Sequence, residues 1–229
     1  MRRAHRDRAQ YLGDPAFTDV PMRLLTSPDY AAGLRASIRT DKATPSDLLP
    51  GYVKAGGQGA HTTHFSVLDA EGNRVGGTIT LNGWFGTGIV VPGTGILLNN
   101  QMDDFVMKPG VPNMYGLVGA EANAIVPGKR PLSSMSPTFV EGERGVAILG
   151  TPGGSYIPSM VLLGILNWSA GADAQAIVAA PRLHHQYRPD VVFMEAGALT
   201  PDEQAGLEQR GHRVNQWPAT IGNMHVVTW

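Results

Sequence analysis

The chain contains no cysteine. Disulfides, thiolate metal sites and a cysteine nucleophile are therefore excluded, and the redox compartment is left open. It also lacks a block of basic residues: 18 Lys and Arg stand against 19 Asp and Glu, for a net charge of −1. Phosphate backbones are held by clustered cations, so no dedicated nucleic-acid surface is expected. No apolar run is long enough to cross a bilayer. The best candidate, residues 160–168, is too short and reads as a buried helix. Met1-Arg2-Arg3 is basic, but no apolar segment follows it, so no secretory signal is expected. The 229 residues carry an ordinary 42% of hydrophobic side chains, enough for one large or two small folded domains.

Residues 1 to about 13 carry charge on most faces of a helix that Gly13-Asp14-Pro15 ends. Ser27-Pro28-Asp29 starts another, with Ser27 as N-cap and Pro28 at the first helical position. Residues 40–61 have linker composition, and Ala55-Gly56-Gly57-Gln58-Gly59-Ala60 is expected to be flexible and exposed. Next, His61 to Leu68 alternates with a period of two, Ala70-Glu71-Gly72-Asn73 reads as a turn, and residues 75–81 read as a second strand. The pair predicts a β-hairpin. Asn82 opens a glycine-dense loop without the lysine of a phosphate loop. Residues 108–129 form a long loop that suits a lid. Strands are expected at 136–140, 146–149 and 191–195, near Val214 and at 224–228. Helices are expected at 157–168 and 172–180 and after Thr200-Pro201-Asp202-Glu203. Strands and helices fall in blocks, which makes the class α+β, in layers.

Thr62 and Thr63 sit at the head of the first strand. A threonine there is either an ordinary β-branched strand residue or, if the chain is cut before it, a nucleophile. The new α-amino group would then lie beside the hydroxyl and take its proton.

Six motifs in register, the Thr62 stretch among them, favour the second reading. Thr62-Thr63-His64-Phe65-Ser66-Val67, Leu81-Asn82, Phe85-Gly86-Thr87-Gly88, the run from Leu97 to Phe105, Lys129-Arg130-Pro131-Leu132-Ser133-Ser134-Met135-Ser136-Pro137 and Pro152-Gly153-Gly154-Ser155 occur in this order at family-like spacing. Arg182-Leu183-His184-His185-Gln186 joins them. Together they resemble the γ-glutamyltranspeptidases of the N-terminal-nucleophile (Ntn) hydrolase superfamily. The resemblance implies an Ntn-hydrolase αββα sandwich, incomplete because most of the large subunit is absent. Residues 1–61 resemble the tail of that subunit and its linker. Residues 62–229 resemble the small subunit, stopping before its C-terminal end. The arginine that grips the substrate α-carboxylate in the family has no assignable counterpart.

By resemblance, autocleavage between His61 and Thr62 would expose Thr62, and Thr62 would transfer a γ-glutamyl group from glutathione or a related amide to water or an amino acid. Thr80 would orient Thr62. Asn82 would contact the nucleophile or the substrate carboxylate. Asp104 would take the substrate ammonium, with Asp103 as a solvated neighbour and Gln101 as a further pocket candidate. Ser133 and Ser134 would donate to the carboxylate, Gly153 and Gly154 would form the oxyanion hole, and Tyr115 would be the lid residue. No cofactor and no metal are expected, and His64, His184 and His185 are read as structural. The implied partners are the substrate, an acceptor, and the large subunit or its missing part. The implied location is the bacterial periplasm or the exterior.

Two other readings stand beside this one: a cephalosporin or glutaryl acylase of the same superfamily, and a non-catalytic truncated remnant. The missing layer predicts exposed apolar faces, a chain unstable alone, and inefficient self-cleavage. Gly76-Gly77 in mid-strand and Gly83-Trp84 after the asparagine depart from the family pattern on the acceptor side of the pocket.

Overall fold

The computed structural model describes residues 1–49 and 61–229. The expected flexible stretch around Gly56 lies outside the described residues. In chain order the elements are α1 Arg2–Tyr11, α2 Met22–Leu25, α3 Pro28–Ala36, β1 His61–Leu68, β2 Arg74–Asn82, β3 Thr138–Gly142, β4 Gly145–Gly150, α4 Ile157–Ser169, α5 Ala174–Ala179, β5 Leu183–His184, β6 Val192–Met194, α6 Pro201–Gln209, β7 Val214–Gln216 and β8 His225–Thr228, with four short 3-10 turns between them. The expected helix starts are built from local hydrogen bonds. Ser27 accepts the Tyr30 amide ahead of α3, and Thr200 and Glu203 form a reciprocal capping box at α6. The short α2 and β5 had no sequence signal strong enough to mark them.

Strands β1 and β2 pair antiparallel, and Asp69 closes their turn by accepting the amides of Glu71 and Asn73. Strands β3, β4 and β8 form a second sheet, antiparallel throughout. Strands β5, β6 and β7 form a third, its last pair parallel. The hairpin lies face to face on the second sheet: Ser66 donates to the Ile148 carbonyl, and the His64 ring fills the space over Gly150. On the other face of that sheet lie α4 and α5. The core cluster there includes Ala147, Leu149, Ile157, Met160, Trp168 and Ile177. Helix α4 is apolar on most faces, and Gly164 lets it approach Leu149 closely.

The layers therefore run hairpin, sheet, helices: three of the four layers of a sandwich. The hairpin's inner face is polar, with His64 buried. Its outer face carries Phe65, Val67, Val75 and Ile79, all exposed. Gly77 has a packing reason. It sits opposite Phe65, whose ring lies so close that a Cβ on residue 77 would meet it at 2.3 Å.

Residues 1–49 are packed into the rest. Arg2 pairs with Asp190 at 2.8 Å, the His5 ring meets the His184 ring edge-on at 5.3 Å, and Asp14 binds Arg130. The histidines are held by hydrogen bonds: His64 by Thr78 and Ser66, His184 by Ser159 and Gln186, and His185 by Asp190. Burial holds His184 down to about 3, so it is neutral.

Candidate active site

The hairpin sets the first half of the site. Thr62 and Thr80 are cross-strand partners, and the Thr62 hydroxyl donates to the Thr80 hydroxyl at 3.1 Å. The register slips between His61 and Thr62: His61 pairs with Asn82 and Thr62 with Thr80, which leaves Leu81 as the extra residue. A bulge of this kind re-aims side chains at the end of a ladder. It lies at the peptide bond where scission is expected.

Thr80 also accepts the Asn82 amide at 2.8 Å. Asn82 is buried and has a left-handed backbone, φ 73°, which asparagine tolerates better than most residues. Its side-chain Nδ2 donates to the Asn100 carbonyl, and its carbonyl and Oδ1 both accept from the Tyr115 hydroxyl, at 2.8 and 2.5 Å. Tyr115 is buried, and its own carbonyl accepts from Gln186. The loop predicted as a lid is thus fastened down over Asn82. Burial, with Asp104 and Asp103 nearby, pushes the Tyr115 phenol up, so it remains a donor.

The second half comes from the turn into α4. Gly153 has φ 142° and Gly154 has φ 54°. Thr62, Thr80 and Gly153 line one cavity of about 1230 Å³. Its walls are largely aromatic and apolar, with Trp84, Phe85, Tyr156 and Trp217, and Asn223 adds a polar group.

The polar candidates gather beside this cavity rather than on it. Gln101 Nε2 donates to Asp104 Oδ2 at 2.6 Å within one 3-10 turn. That bond aims the Gln101 Oε1 atom the other way, where it is buried with no hydrogen-bond partner. Asp104 lines a separate cavity of about 190 Å³, together with Asp103 and Arg8. Burial pushes the Asp104 carboxyl up to about 6; Arg8 opposes this and Asp103 adds to it. Arg8 Nη2 donates to Ser134 Oγ at 2.9 Å. Ser133 is exposed, and its Oγ accepts the Met135 amide. Asp103 is part-buried and accepts the Met114 amide, so it is tied into the loop rather than solvated. The two clusters meet through Asn100, whose carbonyl holds Asn82 and which directly precedes Gln101.

The family profile described as gamma-glutamyltranspeptidase matches residues 1–229. The chain belongs to the gamma-glutamyltranspeptidase family. It is 50% identical over 216 residues to a glutathione hydrolase proenzyme of Pseudomonas sp. strain A14; the match covers 93% of this chain and 37% of that protein. The chain thus spans well under half the length of this curated relative. Among solved structures it resembles the Helicobacter pylori gamma-glutamyltranspeptidase T380A mutant, with a TM-score of 0.69 and 43% identity, covering 72% of this chain and 90% of that one. A cephalosporin acylase from Bacillus halodurans superposes with a TM-score of 0.77 at 26% identity, covering 97% of this chain and 38% of that one. The α+β layered fold expected of a transpeptidase is the one observed.

Within this transpeptidase fold, sequence reasoning missed Arg8 and the aromatic walls. Arg8 is one of four arginines in α1, at positions 2, 3, 6 and 8. No pattern separates the one that faces Asp104 from three that do not. Tyr156 and Trp217 come from distant segments, and only the fold brings their rings to 6.0 Å.

Proposed function

We propose that this chain carries the nucleophile half of a γ-glutamyl acyltransferase and hydrolase acting on glutathione and related amides. One observation carries the reading: the Thr62 hydroxyl is bonded to Thr80 and opens on the same cavity as Gly153.

In the maturation step the Thr62 oxygen attacks the His61 carbonyl carbon. The C–N bond to Thr62 breaks as the acyl group moves to oxygen, and water then hydrolyses the ester. This leaves a carboxylate on His61 and a free amine on Thr62. With a reference pKa of about 7.7–8.0, that amine is matched to proton transfer near neutral pH. Thr62 next attacks the γ-amide carbonyl, with its hydroxyl proton passing to the amine and on to the leaving amine. The acyl-enzyme is released to water or to an amino-acid acceptor. Amide groups at Gly153 and Gly154 would stabilise the oxyanion; one such donor is worth about 2.7–4 kcal/mol of barrier. Thr80 and Asn82 hold the nucleophile's end of the hairpin, with Tyr115 closed over them. No cofactor enters the scheme.

The head group is the second element. The Asp104 carboxylate lines the smaller cavity and is an acceptor that an ammonium can supply with donors, while Gln101 holds it from behind through Nε2. Ser133 and Ser134 suit the carboxylate. This favours a γ-glutamyl over a glutaryl substrate, because a glutaryl group has no ammonium to place there.

Residues 1–61 would be the tail of the large subunit and 62–229 the small one. The remaining large subunit would cover the outer face of the hairpin at Phe65, Val67, Val75 and Ile79. A periplasmic or secreted bacterial location goes with this reading.

The test compares γ-glutamyl-p-nitroanilide with glutaryl-p-nitroanilide, using the chain alone and co-expressed with the preceding region of a Pseudomonas relative. Turnover of the first at least tenfold faster is expected, in the co-expressed form. Equal rates would remove the role of Asp104. No turnover in either form would favour the remnant.

A further inference from the structure

Arg8 belongs to none of the roles above, yet it points into the cluster that holds Asp104. Its Nη2 donates to Ser134 Oγ at 2.9 Å. It lines the same 190 Å³ cavity as Asp104. An arginine has donors only, so Ser134 must receive, and the serine's own proton is left to point elsewhere. From this geometry we infer that Arg8 is a positioning residue for the head-group subsite: it turns Ser134 into a donor for a ligand carboxylate and keeps a fixed positive charge beside Asp104. The inference rests on the γ-glutamyl reading of that subsite.

Two effects follow from one side chain. The first is directional. Without Arg8, the Ser134 hydroxyl rotates freely and spends part of its time as an acceptor, which repels a carboxylate. The second is electrostatic. Asp104 is pushed towards protonation by burial and by Asp103; Arg8 from α1 opposes them, and so does the Gln101 hydrogen bond. Tyr115, the other titratable group coupled to Asp104, is held neutral. Burial brings Arg8 itself down to about 10, still a cation at neutral pH. Its removal would let Asp104 take up a proton at higher pH, and a neutral acid holds an ammonium poorly.

The experiment uses Arg8→Met and Arg8→Lys in the full chain, co-expressed as above. Arg8→Met should raise KM for γ-glutamyl-p-nitroanilide about tenfold, the scale of one charge-assisted hydrogen bond, and leave kcat within about twofold. It should also move the acid limb of kcat/KM to higher pH. Arg8→Lys should restore the limb, because the charge is kept, and recover KM only in part. The effects of Arg8→Met and Ser134→Ala on KM should be markedly less than additive. A fall in kcat at unchanged KM, or full additivity, overturns the inference. If the wild type turns over neither anilide, the function fails separately. Arg8 is then read from the Asp104 13C-carboxylate resonance during L-glutamate titration. A glutamate response that weakens about tenfold in Arg8→Met supports the inference; a response equal in both proteins, or none in the wild type, overturns it.

Discussion

Thr62 donates its hydroxyl across the hairpin to Thr80, and Thr80 also accepts the Asn82 amide. The nucleophile candidate is thus tied through one oxygen to the backbone of the residue that Tyr115 clamps. Replacing Thr80 by Val keeps the shape of the side chain and removes both bonds. The expected result is a loss of about 10²-fold in kcat with KM little changed, on the scale of a lost catalytic hydrogen bond. Thr62→Ala should abolish turnover and leave a single band on a denaturing gel under conditions in which the co-expressed wild type gives two. Equal banding in both proteins would remove Thr62 from the cleavage step.

Gly153 sits in a backbone conformation that other residues rarely adopt, and a side chain there would also have to push aside the flexible end of Met160. A Cβ there would lie 2.3 Å from Met160 Cε, and the backbone stands at φ 142°. Gly153→Ala is therefore expected to cost about 1–3 kcal/mol of stability from strain, measured by urea denaturation. It should also lower kcat about 10²-fold by displacing the amides beside the cavity. If Gly153→Ala is catalytically silent, the oxyanion site lies elsewhere.

Asp104 makes the pH profile specific. It must be ionised to hold an ammonium, and burial pushes its carboxyl up to about 6. The new Thr62 amine must be unprotonated, with a reference value of about 7.7–8.0. Both groups are lost to protonation as pH falls. The slope of log kcat/KM against pH should be about one between the two values and about two below 6. Asp104→Asn should drop kcat/KM about 10²-fold or more and return the slope to one throughout the acid range. A wild-type slope of one down to pH 5 would mean that the free enzyme needs no ionised carboxylate that titrates near 6.

The outer face of the hairpin sets the fourth prediction. Phe65, Val67, Val75 and Ile79 are exposed on one side of a two-stranded sheet, which is an aggregation surface unless covered. The double variant Val67→Lys, Ile79→Lys should make the isolated chain more soluble, measured by sedimentation at rising concentration. The same variant should weaken co-purification with the complementary region. Greater solubility with unaltered co-purification would mean that the partner sits on another face.

Much of this was readable before folding. The alternation from His61 to Leu68, the turn at Ala70–Asn73 and the caps at Ser27 and Thr200 are short-range signals. They depend on neighbours within a few residues, and the structure contains each of them. The polarity of the hairpin was less legible. A period of two says that faces alternate but not which face is buried; His64 went in and Phe65 stayed out because the sheet beneath leaves a gap over Gly150, and Thr78 and Ser66 on the hairpin's own inner face hold the ring nitrogens there.

The sequence by itself determined the order of the elements, the family and the identity of the hydroxyls, carboxylates and glycines available for chemistry, because residue type and local spacing are one-dimensional facts. Only tertiary structure decided which of four arginines in α1 faces Asp104, that Asp104 and Thr62 border different cavities, and that Tyr115 closes on Asn82. Those pairings join residues far apart along the chain. Side-chain direction and desolvation, which set them, exist only once the layers have packed.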